Sequence, residues 1–266
     1  MYWRVLNPHF TGKQMSEITA ELCNAALEAA TVARGLSNAT HRRYRAFITG
    51  VFSTARQKWT KLPPAPPIAS FTSPEPEPRP LDADEERRLM AELPLHLQRA
   101  ARFSLACGAR ESNVTGLHWW AHRFDDAGNL RAHVSADLRT LHIPAAKAKA
   151  GKTLAIPLNE AAQAVLAEAR DCPIHGTVEM VFTRAGYFIS HASTMSWYSA
   201  MKRAGIKGFK WHGLRATWAS RHVQQGTPME VLQKLGGWAT DAVLKKHYVK
   251  LSPELIARYV ENGGAA

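Results

Sequence analysis

Four side chains bearing imidazole, guanidinium, indole and phenol groups are strung along residues 210–251, KWHGLRATWASRHVQQGTPMEVLQKLGGWATDAVLKKHYVKL. His212 and Arg215 stand three apart at the start of a helix-spaced pattern, so both project from adjacent positions into one site. Trp238 follows a Gly-Gly pair that ends a short helix. Tyr248 comes ten residues later, flanked by Lys245, Lys246, His247 and Lys250. Taken singly, each has an ordinary structural reading: His212 as a cap, Arg215 as a solvated charge, Trp238 as core filling, Tyr248 as a half-buried aromatic. Their order and spacing together set this stretch apart.

Other chemistries fail on spacing. AKAGKT ends like a phosphate-binding loop, but such a loop needs glycine at position 146, where alanine stands. The following LAIPL also reads as a strand instead of the required helix. His118 and His122 are four apart without the glutamate of the zinc-protease pattern. Cys107 and Cys172 have no partner at metal-ligand spacing, so no metal site is expected. No Gly-x-Ser-x-Gly elbow occurs.

The 266 residues carry 34 Lys+Arg against 22 Asp+Glu, a formal charge of +12, and the pI is near 9.9. So basic a chain suits a polyanion, because each neutralised phosphate releases condensed counterions. The cations form clusters: His41, Arg42, Arg43 and Arg45; Lys147, Lys149 and Lys152; Lys202, Arg203, Lys207 and Lys210; Lys245, Lys246 and Lys250. That spread suits a protein gripping DNA over a long track. An apolar share of 45% is ordinary for a globular chain and too high for a disordered one. No apolar run approaches the roughly 20 residues of a membrane span. MYWRVLNPHF is not a signal peptide, and three widely separated cysteines suit a reducing compartment. A cytoplasmic, nucleoid-associated protein with no membrane partner is expected.

The elements that hold these residues fall on either side of a proline-rich stretch. Residues 61–80 contain eight of the fifteen prolines, which exclude helix and central strand and leave an extended linker. The expected division is a partial helical DNA-binding unit over 1–62, a linker over 63–80 and a second domain over 81–266. The first unit shows two helices, one with Ile18, Leu22, Ala26 and Ala29 on its apolar face, the other with Tyr44, Ile48, Val51, Phe52 and Ala55. Ser37 or Asn38 caps the second. Two helices make a thin core.

After the linker, Asp82 and Glu85 form a capping box that opens DADEERRLMAELP, and the helix HLQRAARFSLACG follows. HVSADLRTLHIP and KTLAIPL have strand character, with turns at 126–129 and at Gly151. From residue 159 onward the pattern is mostly helical. The expected fold is mainly α with a small antiparallel β-sheet (α+β), without the strand–helix alternation of a doubly wound fold.

With these pieces in order, the sequence resembles the tyrosine recombinases, and among them the phage-type integrases. The resemblance covers residues 81–262 and extends more weakly into 14–60. LACGARESNVTGLHW is similar to the family's box around its first arginine and places Arg110 there. KAKAGKTLAIPL matches the lysine-bearing β-hairpin and places the catalytic lysine at Lys149, with Lys147 and Lys152 as fallbacks. His212-Gly213-Leu214-Arg215 is the His-x-x-Arg box, and LGGW puts Trp238 where the family has histidine or tryptophan. HYVKLSP supplies Tyr248 as nucleophile. Three departures stand out. Asn113 replaces an acidic residue three after the arginine, which weakens the support of Arg110. Residues 119–140 are longer than the usual connection. The resemblance also leads one to expect that the sequence begins inside the core-binding region, with roughly the last helices of that unit.

The resemblance implies site-specific recombination, the integration or excision of a mobile element such as a prophage, by metal-free cleavage and rejoining through a 3′-phosphotyrosyl intermediate. A phenol (pKa about 10) leaves more readily in the reverse step than an aliphatic alcohol, and the link stores the bond energy, so no cofactor is needed. Arg110 and Arg215 fork onto the non-bridging oxygens, and Lys149 protonates the leaving 5′ oxygen. His212 accepts the tyrosine proton or bonds the phosphate. Trp238 adds an indole N–H and packs the site. Arg42, Arg43, Arg45, Lys147, Lys152, Lys202, Lys210, Lys245 and Lys246 are the expected DNA contacts.

By the same analogy, PELIARYVENGG docks on a neighbouring subunit. That implies a monomer off DNA and a homo-tetramer on paired attachment sites of double-stranded DNA, with an accessory DNA-bending or directionality factor. Two alternatives stand beside this reading: a truncated, non-catalytic DNA-binding remnant, and a monomeric type IB topoisomerase-like enzyme. The complete catalytic set argues against the first, and the carboxy-terminal helix against the second.

Overall fold

The structure, a computed structural model, describes residues 2–35, 37–59, 62–69, 79–120, 128, 130–148, 151–171, 179–240, 242 and 244. The chain divides into two compact units, Met1–Pro76 and Glu77–Ala266.

The first unit holds helices α1 (Tyr2–Phe10), α2 (Ala20–Arg34) and α3 (Asn38–Lys58). Thr19 caps α2, its hydroxyl accepting the Leu22 N–H at 3.3 Å, and Ser37 caps α3 by accepting the Thr40 N–H at 3.3 Å. The buried face of α2 is Cys23, Ala26, Leu27 and Ala30. Ala29 is exposed and Ile18 precedes the helix, so the apolar stripe is turned by one residue from the sequence-derived face. On α3, Tyr44, Ile48, Phe52 and Ala55 are buried as expected, while Val51 is 40% exposed. Helix α1 was not foreseen, because Pro8 interrupts its short pattern. Its Leu6 and Phe10 nevertheless join Leu27, Tyr44 and Phe52 in one core, so three helices thicken what two would leave thin.

Residues 62–69 form neither helix nor strand, as their prolines require. They are not free of the unit, however. Ile68 is 6% exposed within its core. Arg45 Nε donates to the Ile68 carbonyl at 2.9 Å, and the Ala69 N–H donates to Asn24 Oδ1 at 3.1 Å.

The second unit begins with α4 (Ala83–Glu92), opened by the Asp82–Glu85 capping box, then α5 (Leu95–Cys107) and the short α6 (Glu111–Thr115). Strands β1 (His133–Val134), β2 (Thr140–Ile143) and β3 (Leu154–Pro157) make an antiparallel sheet in the order β1-β2-β3. β1 lies within the long connection 119–140. Leu141 and Ile143 point into the core while Thr140 and His142 are half-buried, the alternation of a strand with one covered face. Helix α7 (Glu160–Asp171) follows, then a hairpin of β4 (Thr183–Arg184) and β5 (Tyr187–Phe188), α8 (Met195–Arg203), α9 (His212–Gln224) and α10 (Met229–Gly236). Two-residue strands are too short to show alternation and a five-residue helix too short to show a helical period, which is why β4–β5 and α6 carry no clear signal in the sequence.

Leu97, Phe103, Leu117, Leu141, Ile143, Leu166, Trp197 and Trp211 meet in one core between these helices and the sheet. Each such fully buried side chain contributes about 1.5–3 kcal/mol. A smaller cluster of Trp218, Val223, Leu232 and Trp238 seats α10 against α9. The protein is mainly helical with a small antiparallel sheet. Among the described residues, no helix is long and apolar enough to cross a membrane.

Candidate active site

Helix α9 is built to present its first turn. Trp211, just before it, is buried against Trp197 with ring centroids 4.9 Å apart. The Phe209 ring packs so closely that a Cβ on Gly213 would fall 2.3 Å from it. With the helix start pinned from below, His212 is exposed and Arg215, one turn on, is only 3% exposed.

Arg215 is held by backbone. Its Nη1 donates to the Gly108 carbonyl and its Nη2 to the Gly236 carbonyl, each at 2.6 Å. The guanidinium carbon lies 4.0 Å from the Trp238 ring centroid, within cation–π range. Arg110, half-buried at the start of α6, donates from Nη2 to the Gly237 carbonyl at 3.3 Å. Two arginines separated by more than a hundred residues thus converge on consecutive carbonyls of the Gly236–Gly237 turn. Carbonyl dipoles orient a guanidinium without cancelling its charge, so the pair is suited to an anionic group.

Close packing around this pair depends on glycine. Gly108 ends α5 with φ of 66°, and a Cβ there would fall 2.2 Å from Trp218 Cε3. Gly237 has φ of 63°, and its Cβ would fall 2.4 Å from Leu154 Cδ2 on β3. Both positions need the left-handed conformation and the missing side chain.

The sequence missed these acceptors because they are main-chain atoms; the glycines beside the quoted boxes were the available signal. It also missed Glu111 and Thr217. Glu111 Oε1 accepts the Ala192 N–H at 2.8 Å and the Ser193 N–H at 3.2 Å, tying α6 to the segment before α8. The Thr217 hydroxyl accepts the buried Leu81 N–H at 2.9 Å and donates to the Gly213 carbonyl at 2.8 Å. Asn113 is 2% exposed, its N–H donates to the Arg110 carbonyl at 2.9 Å, and its Nδ2 has no hydrogen-bond partner among the described residues.

Of the residues singled out from sequence, the structure brings together Arg110, Arg215 and Trp238, with His212 one helical turn from Arg215. Lys149, Tyr248, Lys245 and Lys246 lie outside the described residues, as does the side chain of Lys147. Arg43, Lys152, Lys202 and Lys210 are exposed, and Arg42 and Arg45 are half-buried. Among the described residues, thiol chemistry is disfavoured: burial pushes Cys107 up to about 12 and Cys23 up to about 11. Among the described residues, no three His, Cys, Asp or Glu side chains gather where they could hold a metal.

The fold is that of a tyrosine recombinase catalytic domain. It matches the structure of the Tn1549 transposon integrase in complex with transposon right end DNA, with a TM-score of 0.70, 16% identity, and coverage of 99% of this chain and 92% of that one. It also matches a lambda integrase tetramer bound to a Holliday junction, with a TM-score of 0.69, 17% identity, and coverage of 92% and 69%. In sequence it is 27% identical over 290 residues to the integrase of Salmonella phage P22, covering 94% of this chain and 70% of that protein. The phage integrase family pattern matches residues 79–254, and the chain belongs to that family.

Proposed function

We propose that Tyr248 is the nucleophile of this site-specific recombinase and that Arg110 and Arg215 clamp the phosphate it attacks. The observation that supports this reading is the convergence of the two guanidiniums on the Gly236 and Gly237 carbonyls. The phenol oxygen bonds to phosphorus as the phosphorus–O5′ bond breaks, leaving a 3′-phosphotyrosyl link. The guanidiniums balance the charge of the pentacoordinate phosphorus. The phenol proton passes to His212, and the Lys149 ammonium delivers a proton to the leaving 5′ oxygen. Trp238 packs against Arg215 and holds its plane.

The partner is double-stranded DNA, gripped through phosphates by Arg42, Arg43, Arg45, Lys147, Lys152, Lys202, Lys210, Lys245 and Lys246. The segment over 1–62 acts as a core-binding unit, 63–80 as linker and 81–266 as the catalytic domain. Assembly is a homo-tetramer on paired sites, in keeping with the lambda integrase tetramer on a Holliday junction.

Covalent trapping tests the reading. Nicked duplexes tiled across the DNA flanking the protein's own gene are incubated with it and run on denaturing gels. A shifted band that disappears with Tyr248→Phe is the expected result. Binding by mobility shift with no band would favour the remnant, and relaxation of plasmid supercoils without strand exchange would favour the topoisomerase.

A further inference from the structure

The Gly236–Gly237 turn touches a third element besides the two arginines. Leu154 is the first residue of β3, and its register partner Ile143 is the last of β2, so this pair closes the base of the loop 144–153. A Leu154 methyl, Cδ2, occupies the space a Gly237 side chain would take, 2.4 Å from where its Cβ would stand. Gly237 can accept this methyl only because it is glycine, with φ of 63°. Its carbonyl oxygen simultaneously receives Arg110, and the preceding carbonyl receives Arg215. The base of the loop is therefore seated on the same two peptides that orient the phosphate clamp. Packing of this closeness does not deform continuously, so a shift of the seat displaces the loop relative to the guanidiniums.

We infer that Leu154 is a positioning residue: seated on Gly237, it sets where the loop bearing Lys149 stands against Arg110 and Arg215. The inference rests on the reading of Lys149 as the proton donor to the 5′ oxygen. Leu154 touches no reacting atom; it acts through the turn. Its loss therefore affects the step in which the phosphorus–O5′ bond breaks and the ammonium proton moves to O5′.

The test uses the full chain and the duplex selected by trapping, prepared twice: once with the ordinary 5′ oxygen and once with sulfur bridging phosphorus and C5′. Breaking phosphorus–sulfur releases a thiolate, which needs no proton from the protein. Leu154→Ala, with the milder Leu154→Val in case the larger truncation unfolds the protein, should slow adduct formation on the oxygen duplex about tenfold. That is part of the roughly 10²–10⁴ a general acid supplies. On the sulfur duplex the rate should return to about twofold of the parent, with DNA affinity unchanged. Equal slowing on both duplexes would overturn the inference, as would no slowing on either, since Leu154 would then support only the arginines or nothing in the reaction. Lys149→Ala separates the two layers. If sulfur rescues Lys149→Ala but not the Leu154 variants, the positioning role fails alone. If sulfur does not rescue Lys149→Ala, the assignment of the acid fails, and a parent that forms no adduct removes both.

Discussion

The Arg215 guanidinium lies over the Trp238 indole, 4.0 Å from guanidinium carbon to ring centroid, with its two terminal nitrogens given to the Gly108 and Gly236 carbonyls. An arginine this buried is held in plane and at fixed reach, because the ring face and both carbonyls constrain one flat group. An ammonium cannot reproduce that arrangement. Arg215→Lys should therefore slow covalent-adduct formation by about 10²–10³, the usual effect of removing one oriented donor from a transition state. DNA affinity should stay within a few-fold in a mobility-shift titration, and a large loss of binding with adduct rate per complex preserved would sink the assignment.

Trp238 also belongs to the cluster of Trp218, Val223 and Leu232 that seats α10 on α9. Trp238→Ala should cost about 3–5 kcal/mol of stability, through the cavity and the lost aromatic contacts. Trp238→Phe keeps a ring against Arg215 and should cost less than half as much. Denaturant midpoints for the two variants decide it.

Gly108 and Gly50 make a matched pair. A Cβ at Gly108 meets the Trp218 ring and a φ of 66°, whereas at Gly50, inside α3, it meets nothing within 4 Å among the described residues. Gly108→Ala should destabilise by more than about 2 kcal/mol, from strain plus overpacking. Gly50→Ala should stabilise by about 0.5–1 kcal/mol, by removing chain entropy in a helix. Thermal unfolding should move in opposite directions.

Glu168 ties α7 to α5, accepting Arg99 Nε at 3.0 Å and Arg102 Nη1 at 2.6 Å. The hydrogen bond from Arg99 is the main cause holding its carboxyl below the ordinary value; burial opposes it, and the hydrogen bond from Arg102 with the charges of both arginines completes the lowering. A lowered folded-state pKa means the stabilisation is complete above the unfolded carboxylate value, about 4.3, and is lost as pH falls through the folded value. Glu168→Gln should therefore cost about 1 kcal/mol at pH 7, a modest figure because the carboxylate is partly in water. The gap between parent and variant should narrow below about pH 4, and a gap that does not vary with pH in urea titrations would contradict the ion-pair account.

Much of the architecture was legible because local rules decide it. The Asp82–Glu85 box, the Ser37 cap, the strands in TLHIP and KTLAIPL, and the helix beginning at His212 follow from side-chain hydrogen bonding and apolar period. Where local signals conflict or are short, reading failed. Pro8 masked α1, and the α2 stripe came out one residue off, since small alanines on several faces leave the period ambiguous.

The sequence by itself marked out the side chains proposed for the site. His212, Arg215 and Trp238 stand out by their order and spacing, and Arg110 by the resemblance of its box to that of a known family. Only the tertiary structure decided how they are held. Both arginines donate to carbonyls of Gly108, Gly236 and Gly237, and every residue has a carbonyl, so the sequence marks these acceptors only indirectly, through the glycines beside the boxes. Nor does any local pattern announce that Leu154 enters the notch left by Gly237, because that contact joins a strand to a helix end more than eighty residues away and exists only once the core has closed around them.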